Sequence, residues 1–228
     1  MKKIGFIVAY DKTDLIIYTA KILVELGKKV IVIDSTVNQK AKYIVPAINP
    51  TTTYITDYEE IDIAVGFYSY EGLAQYLGLE NFNDGEYDYA LIDIDNPDMI
   101  DSFNIQEAET NFFVTAFDLY SLKRGIEILS GIKQTIELRK ILFAEAIYKE
   151  DDEYLNFLSL DKKIIWDDEK VYFPIDINDR KTIIESQRIS KVKFKTLTSE
   201  YKEALMYLVQ VILKENNTSS IKKIFKQI

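Results

Sequence analysis

The chain has 228 residues, 47% hydrophobic and 29% charged, which suffices for one domain with a sizeable buried core. It contains no cysteine and no histidine, which excludes disulfide scaffolds, cysteine-ligated zinc, cysteine nucleophiles and serine–histidine–aspartate triads. A net charge of −9 argues against nonspecific DNA as a partner, because neutralising phosphates needs clustered lysine and arginine.

IGFIVAY (4–10) is a continuous apolar run, as expected of a parallel strand buried on both faces. Asp11-Lys12-Thr13-Asp14 cuts the run too short for a signal peptide. Nowhere do about 18 uncharged apolar residues follow one another, so no segment is expected to span a bilayer and a cytoplasmic protein is expected. Leu15, Ile16, Tyr18, Thr19, Ile22, Leu23 and Leu26 recur at helical spacing, and Gly27 suits the position just past the helix end. VIVID (30–34) is a second buried strand, completing a βαβ unit whose functional edge lies at the C-terminal ends of its strands.

The segment 35–58 reads as irregular and polar. IDIAVGF (61–67) reads as strand, YEGLAQYLGL (70–79) as helix, FNDGEYD (82–88) as turn and YALIDID (89–95) as a third buried strand. NFFVTAF (111–117) and KILFAEAIY (140–148) read as strands on either side of a helix over 119–132. KEDDE (149–153) reads as a solvated turn, since its carboxylates crowd without the defined spacing of a metal site. VYFPIDI (171–177) is a further strand, KVKFK (191–195) alternates like a solvated strand face, and 199–214 is a long helix. This alternation predicts an α/β fold, a mostly parallel central sheet with helices on both faces, in one domain over 1–214.

ENNTSS (215–220) reads as a tether. Beyond it IKKIFKQI (221–228) places Ile221, Ile224, Phe225 and Ile228 at i, i+3, i+4 and i+7, with Lys222, Lys223 and Lys226 elsewhere around the helix. Such a short basic amphipathic helix has two destinations. It can dock on the body or a protein partner, or it can bind an anionic membrane at about 1 kcal/mol per basic residue.

Without cysteine or histidine, the remaining chemistry falls to acids and lysines at strand ends. Lys12 and Thr13 open the first helix, Asp34 ends the second strand, and Asp93 lies near the end of the third buried strand with Asp95 beyond it. A structural reading serves the same residues: Asp11 or Thr13 caps the first helix, Asp14 favours its dipole, and an acid before Asn96-Pro97 caps a turn.

In their order, these segments resemble the MinD/ParA family of P-loop ATPases, the deviant Walker A group. LVELGKKVIVID (23–34) is similar to the family's end-of-helix and second-strand segment, and YDYALIDIDNP (87–97) resembles its Walker B strand and following switch. NFFVTAFDLYSLKRGIEIL (111–129) looks like the next strand and helix. YFPIDINDRKTIIESQ (172–187) resembles the late segment whose Pro-x-Asp loop lies near the base and leads into a helix. The resemblance implies a P-loop NTPase-like fold of the MinD/ParA type, and ATP and Mg2+ as cofactors of an active member. It also implies protein partners, a homodimer, and a role in placing plasmids, division components, flagella, pili or secretion machinery.

The family's K-G-G-x-G-K-[ST] loop lies between the first strand and the first helix. Counting back from Gly27, Lys12 and Thr13 stand at the positions of its lysine and first threonine. Asp93 stands where the Mg2+-linked acid would be, and Asp34 where an acid helps to activate water. The motif's glycines and its extra lysine are absent, and glycines are what let backbone N–H groups turn inward around phosphate. Asp11-Lys12-Thr13 is too short to wrap a triphosphate, and Asp11 and Asp14 would add about 1 kcal/mol or more of repulsion each.

The chain thus resembles a degenerate member, TadZ-like or another atypical relative. That implies a non-catalytic or weakly catalytic localisation or assembly scaffold, in which Lys12, Thr13, Asp34 and Asp93 are vestigial. The alternative is an active Mg-ATP-dependent switch in which those four residues still handle Mg-ATP. The tail resembles the membrane-targeting helix of MinD proteins. Ile221, Lys222, Lys223, Ile224, Phe225, Lys226 and Ile228 are therefore candidate membrane or partner contacts, and the protein is membrane-associated if they bind lipid.

Overall fold

Apolar runs that expose neither face to water are stable only between two layers of helices, and such runs form the centre of this sheet. The computed structural model describes residues 1–8, 10–47, 52–84, 86–146, 148–214 and 219–227. Its strands are β1 (Lys2–Ile7), β2 (Val30–Asp34), β3 (Tyr54–Tyr58), β4 (Ile61–Val65), β5 (Tyr89–Ile94), β6 (Thr110–Ala116), β7 (Ile136–Ala144) and β8 (Ile164–Pro174). They form one sheet in the order β3-β4-β2-β5-β1-β6-β7-β8, parallel throughout except for β3, which runs antiparallel to β4. The expected mostly parallel α/β architecture is what the chain adopts.

The helices are α1 (Thr13–Glu25), α2 (Ala41–Ile44), α3 (Tyr70–Leu77), α4 (Pro97–Ser102), α5 (Leu119–Ser130), α6 (Lys149–Leu158), α7 (Ile177–Ile189), α8 (Ser199–Leu213) and α9 (Ser219–Gln227). One core layer joins α1 and α8 to the sheet through Ile16, Leu23, Phe112, Leu205 and Leu208. The other lies beneath α3, α4, α5 and α6, around Leu73, Ile92, Ile100, Phe113, Leu129 and Leu155. Their N-termini follow local chemistry: Ser69, Asn96, Asp118, Asp176 and Thr198 cap α3, α4, α5, α7 and α8 with side-chain oxygens. Gly27 takes φ +77 after α1, and Lys28 N–H returns to the Leu23 carbonyl at 3.1 Å, closing the helix as expected.

Several boundaries differ from the sequence reading. β1 stops at Ile7 rather than Tyr10. The segment 35–58, read as irregular, contains α2 and the edge strand β3. β7 and β8 begin four and seven residues before 140 and 171; Glu137 and Arg139 on β7 and the Asp167-Asp168-Glu169 run on the edge strand β8 hide the strand pattern there. Asn96-Pro97 opens α4 instead of a simple turn, with proline at a first-turn position where its missing N–H costs nothing. KEDDE forms the first turn of α6, and Asp152 within it is buried between Lys140 and Lys170 rather than solvated. KVKFK is not a strand, and Phe194 within it is buried.

The tail forms α9, and its apolar face meets the domain. Ile221 and Ile224 are buried, Phe225 packs edge-on against Phe194 with ring centroids 5.6 Å apart, and Lys222 and Lys223 are exposed. The Lys226 side chain and Ile228 lie outside what is described. Among the described residues, no helix is long and apolar enough to cross a membrane.

The β3–β4 hairpin turns on Glu59 and Glu60, both at positive φ (56° and 67°). That conformation suits Asn-Gly far better than two glutamates, whose Cβ atoms strain each position by about 1 kcal/mol. Lys21 donates to the Glu59 carbonyl at 3.2 Å and holds the turn closed. Glu60→Gly is therefore expected to raise stability by about 1 kcal/mol in urea unfolding. A lowered midpoint would show that the turn is not strained.

Candidate functional site

The C-terminal ends of β1, β2 and β5 meet because β5 lies between the other two in the sheet. Register sets Asp34 directly beside Asp93, so both carboxylates leave the same face of adjacent strands, and both are buried. Burying two acids side by side is costly unless each finds hydrogen bonds or a cation.

Asp34 finds hydrogen bonds. One oxygen accepts from the Thr36 N–H (3.1 Å) and hydroxyl (2.6 Å), and the other from Ala41 N–H at the start of α2 (2.8 Å). Both oxygens are engaged in shaping the β2–α2 connection. Asp95 performs a similar service by accepting from Val37 N–H at 2.9 Å.

Asp93 finds the cation. Lys12 Nζ lies 2.5 Å from Asp93 Oδ1 and donates to the Val8 carbonyl at 2.5 Å, with the lysine only 3% exposed. Thr13 Oγ1 stands 3.5 Å from the other Asp93 oxygen. Burial pushes the Asp93 carboxyl up to about 7, with Lys12 opposing the shift and Asp34 and Asp95 adding to it.

The Lys12 contact depends on how β1 ends. Val8 has φ +122, a conformation that bulky side chains rarely adopt, and its N–H stays bonded to the Ile94 carbonyl at 2.9 Å. The turn aims the Val8 carbonyl at the Lys12 ammonium, so the side chain folds back over the strand ends. At the helix start Lys12 is the N-cap residue and makes no side-chain cap, so neither Asp11 nor Thr13 caps α1 as the sequence suggested.

Asp11 and Asp14 are engaged elsewhere. Lys40, from the segment read as irregular, is paired with Asp11 and lies 3.1 Å from Asp14. Burial works against the Lys40 ammonium, but the two carboxylates outweigh it and raise its pKa. Gln187 of α7 donates to the other Asp14 oxygen at 2.8 Å. No sequence pattern ties Lys40 to the first helix; only the sheet order brings them together.

Two clefts open beside this network. One of about 360 Å³ is lined by Lys12, Thr13, Thr36, Lys40, Asp93 and Asp95. The other, of about 440 Å³, lies between Tyr10, Phe143, Pro174, Ile183 and Tyr201, with Arg180 on its exposed rim. Lys40 and Asp11 border both. Lys12, Thr13, Asp34 and Asp93 are thus brought to one place, whereas the tail residues Ile221, Ile224 and Phe225 pack on the domain away from these clefts. Lys40, Asp176, Asp179 and Arg180 are charged groups at the clefts that the sequence did not single out.

No protein-family model matches this sequence, and no curated protein does either. Solved structures similar to it include a chain of the MinC:MinD cell division protein complex of Aquifex aeolicus, with a TM-score of 0.61 and 14% identity over 95% of this chain and 97% of that one. A putative plasmid partition protein from Borrelia burgdorferi, bound to AMPPNP, has a TM-score of 0.61 and 14% identity over 94% and 99%. A ParA family ATPase from Chlorobium tepidum has 0.60 and 13% over 91% and 97%. At such identities the fold is what is shared: this is the P-loop NTPase architecture of the MinD and ParA ATPases.

Asp93 carries a pH prediction. A carboxyl whose folded pKa lies above its unfolded value stabilises fully below the unfolded pKa and loses that contribution as pH rises through the folded one. The stability advantage of Asp93 over Asn in Asp93→Asn is expected to fall from about pH 4 to about pH 7 and to level off above. Lys12→Met, which removes the opposing cation, extends the fall to higher pH. Urea midpoints across pH 4–9 measure it, and a flat difference would contradict the buried-acid assignment.

Proposed function

We propose that this chain is a MinD/ParA-like positioning protein that acts as a localisation or assembly scaffold without an ATP-driven switch. The observation that carries the reading is the Lys12 ammonium, buried and satisfied by the Val8 carbonyl and the Asp93 carboxylate. In a phosphate loop a lysine must be free to meet phosphate, and glycine backbone must turn its N–H groups inward. Here the connection runs from Val8 to Thr13 with no glycine, and its lysine is already neutralised inside the protein.

The residues present do not fit Mg-ATP. Lys40, the other cation in the cleft, is shared between Asp11 and Asp14, both oxygens of Asp34 serve the β2–α2 connection, and Asp93 holds Lys12. A triphosphate entering the cleft would meet Asp11, Asp93 and Asp95 and would have to break the Lys12 contacts first. Structural neighbours described as cell division and plasmid partition proteins support a role in cellular placement. Protein partners, including a second copy of the chain, belong to this reading. Lipid contact through the apolar face of α9 would first require Ile221 and Ile224 to leave the core.

Calorimetric titration with Mg-ATP tests the proposal. The expected result is no saturable heat up to millimolar nucleotide, for the wild type and for Lys12→Ala alike. Micromolar binding by the wild type that Lys12→Ala abolishes would replace the scaffold with an active nucleotide switch that has an atypical loop.

A further inference from the structure

A cleft of different character opens at the C-terminal end of β4. It has a volume of about 450 Å³, and its lining includes Phe67, Tyr68, Ser69, Gly72, Gln75 and Tyr76 but, among the described residues, no charged side chain. β2 and β5 separate β4 from β1, and the cleft shares no lining residue with the two beside Lys12.

Both tyrosine rings are held in the open. Tyr68 and Tyr76 are 53% and 52% exposed. Gln39 Nε2 donates to the Tyr68 hydroxyl at 2.8 Å, and Tyr76 meets the buried Phe67 edge to face with ring centroids 5.2 Å apart. Rings already fixed in this way need little further ordering when a ligand arrives. The floor between them is bare. Gly66 is required by the backbone, since it takes φ +84 and a Cβ would strike the Thr52 carbonyl. Gly72 has no such reason: an added Cβ would meet Ser69 Oγ at 3.6 Å, an ordinary contact, and alanine is favoured over glycine within a helix. Ser69, Gly72 and Tyr76 follow at i, i+3 and i+7 on one face of α3, so the missing side chain keeps the gap beside Tyr76 open.

The hydrogen-bonding groups around this gap are biased toward donation. The Tyr68 oxygen already accepts from Gln39, and Ser69 Oγ accepts the Gly72 N–H at 3.1 Å, so each has its O–H left to give. The Tyr76 hydroxyl and the Gln75 carboxamide make no hydrogen bond among the described residues. An anion would find donors but no cation, and a cation would find no carboxylate. A helix or a paired strand brings carbonyls that are already bonded. A polyproline helix instead brings apolar rings and unpaired carbonyls without N–H groups, which matches an uncharged, tyrosine-walled, donor-lined cleft. We propose that this cleft is a docking site for a proline-rich segment of a partner protein. Its proline rings rest on Tyr68 and Tyr76, and its carbonyls accept from the Tyr68, Ser69 and Tyr76 hydroxyls and the Gln75 carboxamide. The site goes beyond the positioning role and does not depend on how the chain treats nucleotide.

Anisotropy of fluorescein-labelled decaproline, titrated with the full chain, tests this. The wild type is expected to bind it saturably. Tyr68→Phe combined with Tyr76→Phe keeps the rings and removes two donors, and is expected to weaken binding about tenfold. Gly72→Leu fills the floor and is expected to abolish binding without lowering the thermal midpoint. Tyr120→Ser, which removes an exposed tyrosine at the start of α5, leaves affinity unchanged, and a glycine–serine peptide of equal length does not bind. No binding by the wild type, undiminished binding by either cleft variant that keeps the wild-type fold, or equal binding of the glycine–serine peptide overturns the proposal. Displacement of decaproline by maltohexaose also overturns it, in favour of a carbohydrate site.

Discussion

An ammonium group that leaves water must be met by acceptors, and in this protein the meeting place is the point where three central strands end. Lys12 is held there by the Val8 carbonyl and by Asp93, and much of the surrounding geometry follows from that contact. It requires the positive φ of Val8, which turns the carbonyl toward the lysine, and it needs no glycine to open the loop. It also supplies the counter-ion without which Asp34 and Asp93, buried side by side, would repel one another. The short strand-to-helix connection and the closed cation are two aspects of one arrangement.

The same device recurs where other connections pack on the sheet. Asp34 secures the β2–α2 turn through three hydrogen bonds, Asp152 holds α6 between two lysines, and Asp179 of α7 accepts from both the N–H and the hydroxyl of Thr198, at 2.7 Å each, to place α8. In each case a buried acid ties a helix start or connection to a fixed neighbour. Gross sheet stability comes from the apolar strands; these acids set where the helices begin and which way they face.

The central strands and α1 were legible because an uninterrupted apolar run has few structural outcomes at that length. β3 was not, since its residues Thr56 and Asp57 carry no strict alternation and its pairing is set by the Glu59-Glu60 turn. β7 and β8 were shortened in the sequence reading by charges that lie on half-exposed strand positions. At the site, Lys12, Thr13, Asp34 and Asp93 could be named from their positions, but not the contacts that decide their role. Lys40 meeting Asp11 and Asp14, and Lys140 and Lys170 meeting Asp152, depend on strand order, which no local pattern encodes. The burial of Asp152 was hidden for the same reason: the acidic start of α6 reads as solvated unless the lysines beneath it are known.

The role read for the strand ends depends on Lys12 and Asp93 being bound to each other rather than held ready for a ligand. A double-mutant cycle in urea unfolding at pH 8, with Lys12→Met, Asp93→Asn and the two combined, measures that directly. A coupling of about 2 kcal/mol or more is expected, with the combined variant much less destabilised than the sum of the single ones. Additivity within about 0.5 kcal/mol would contradict it.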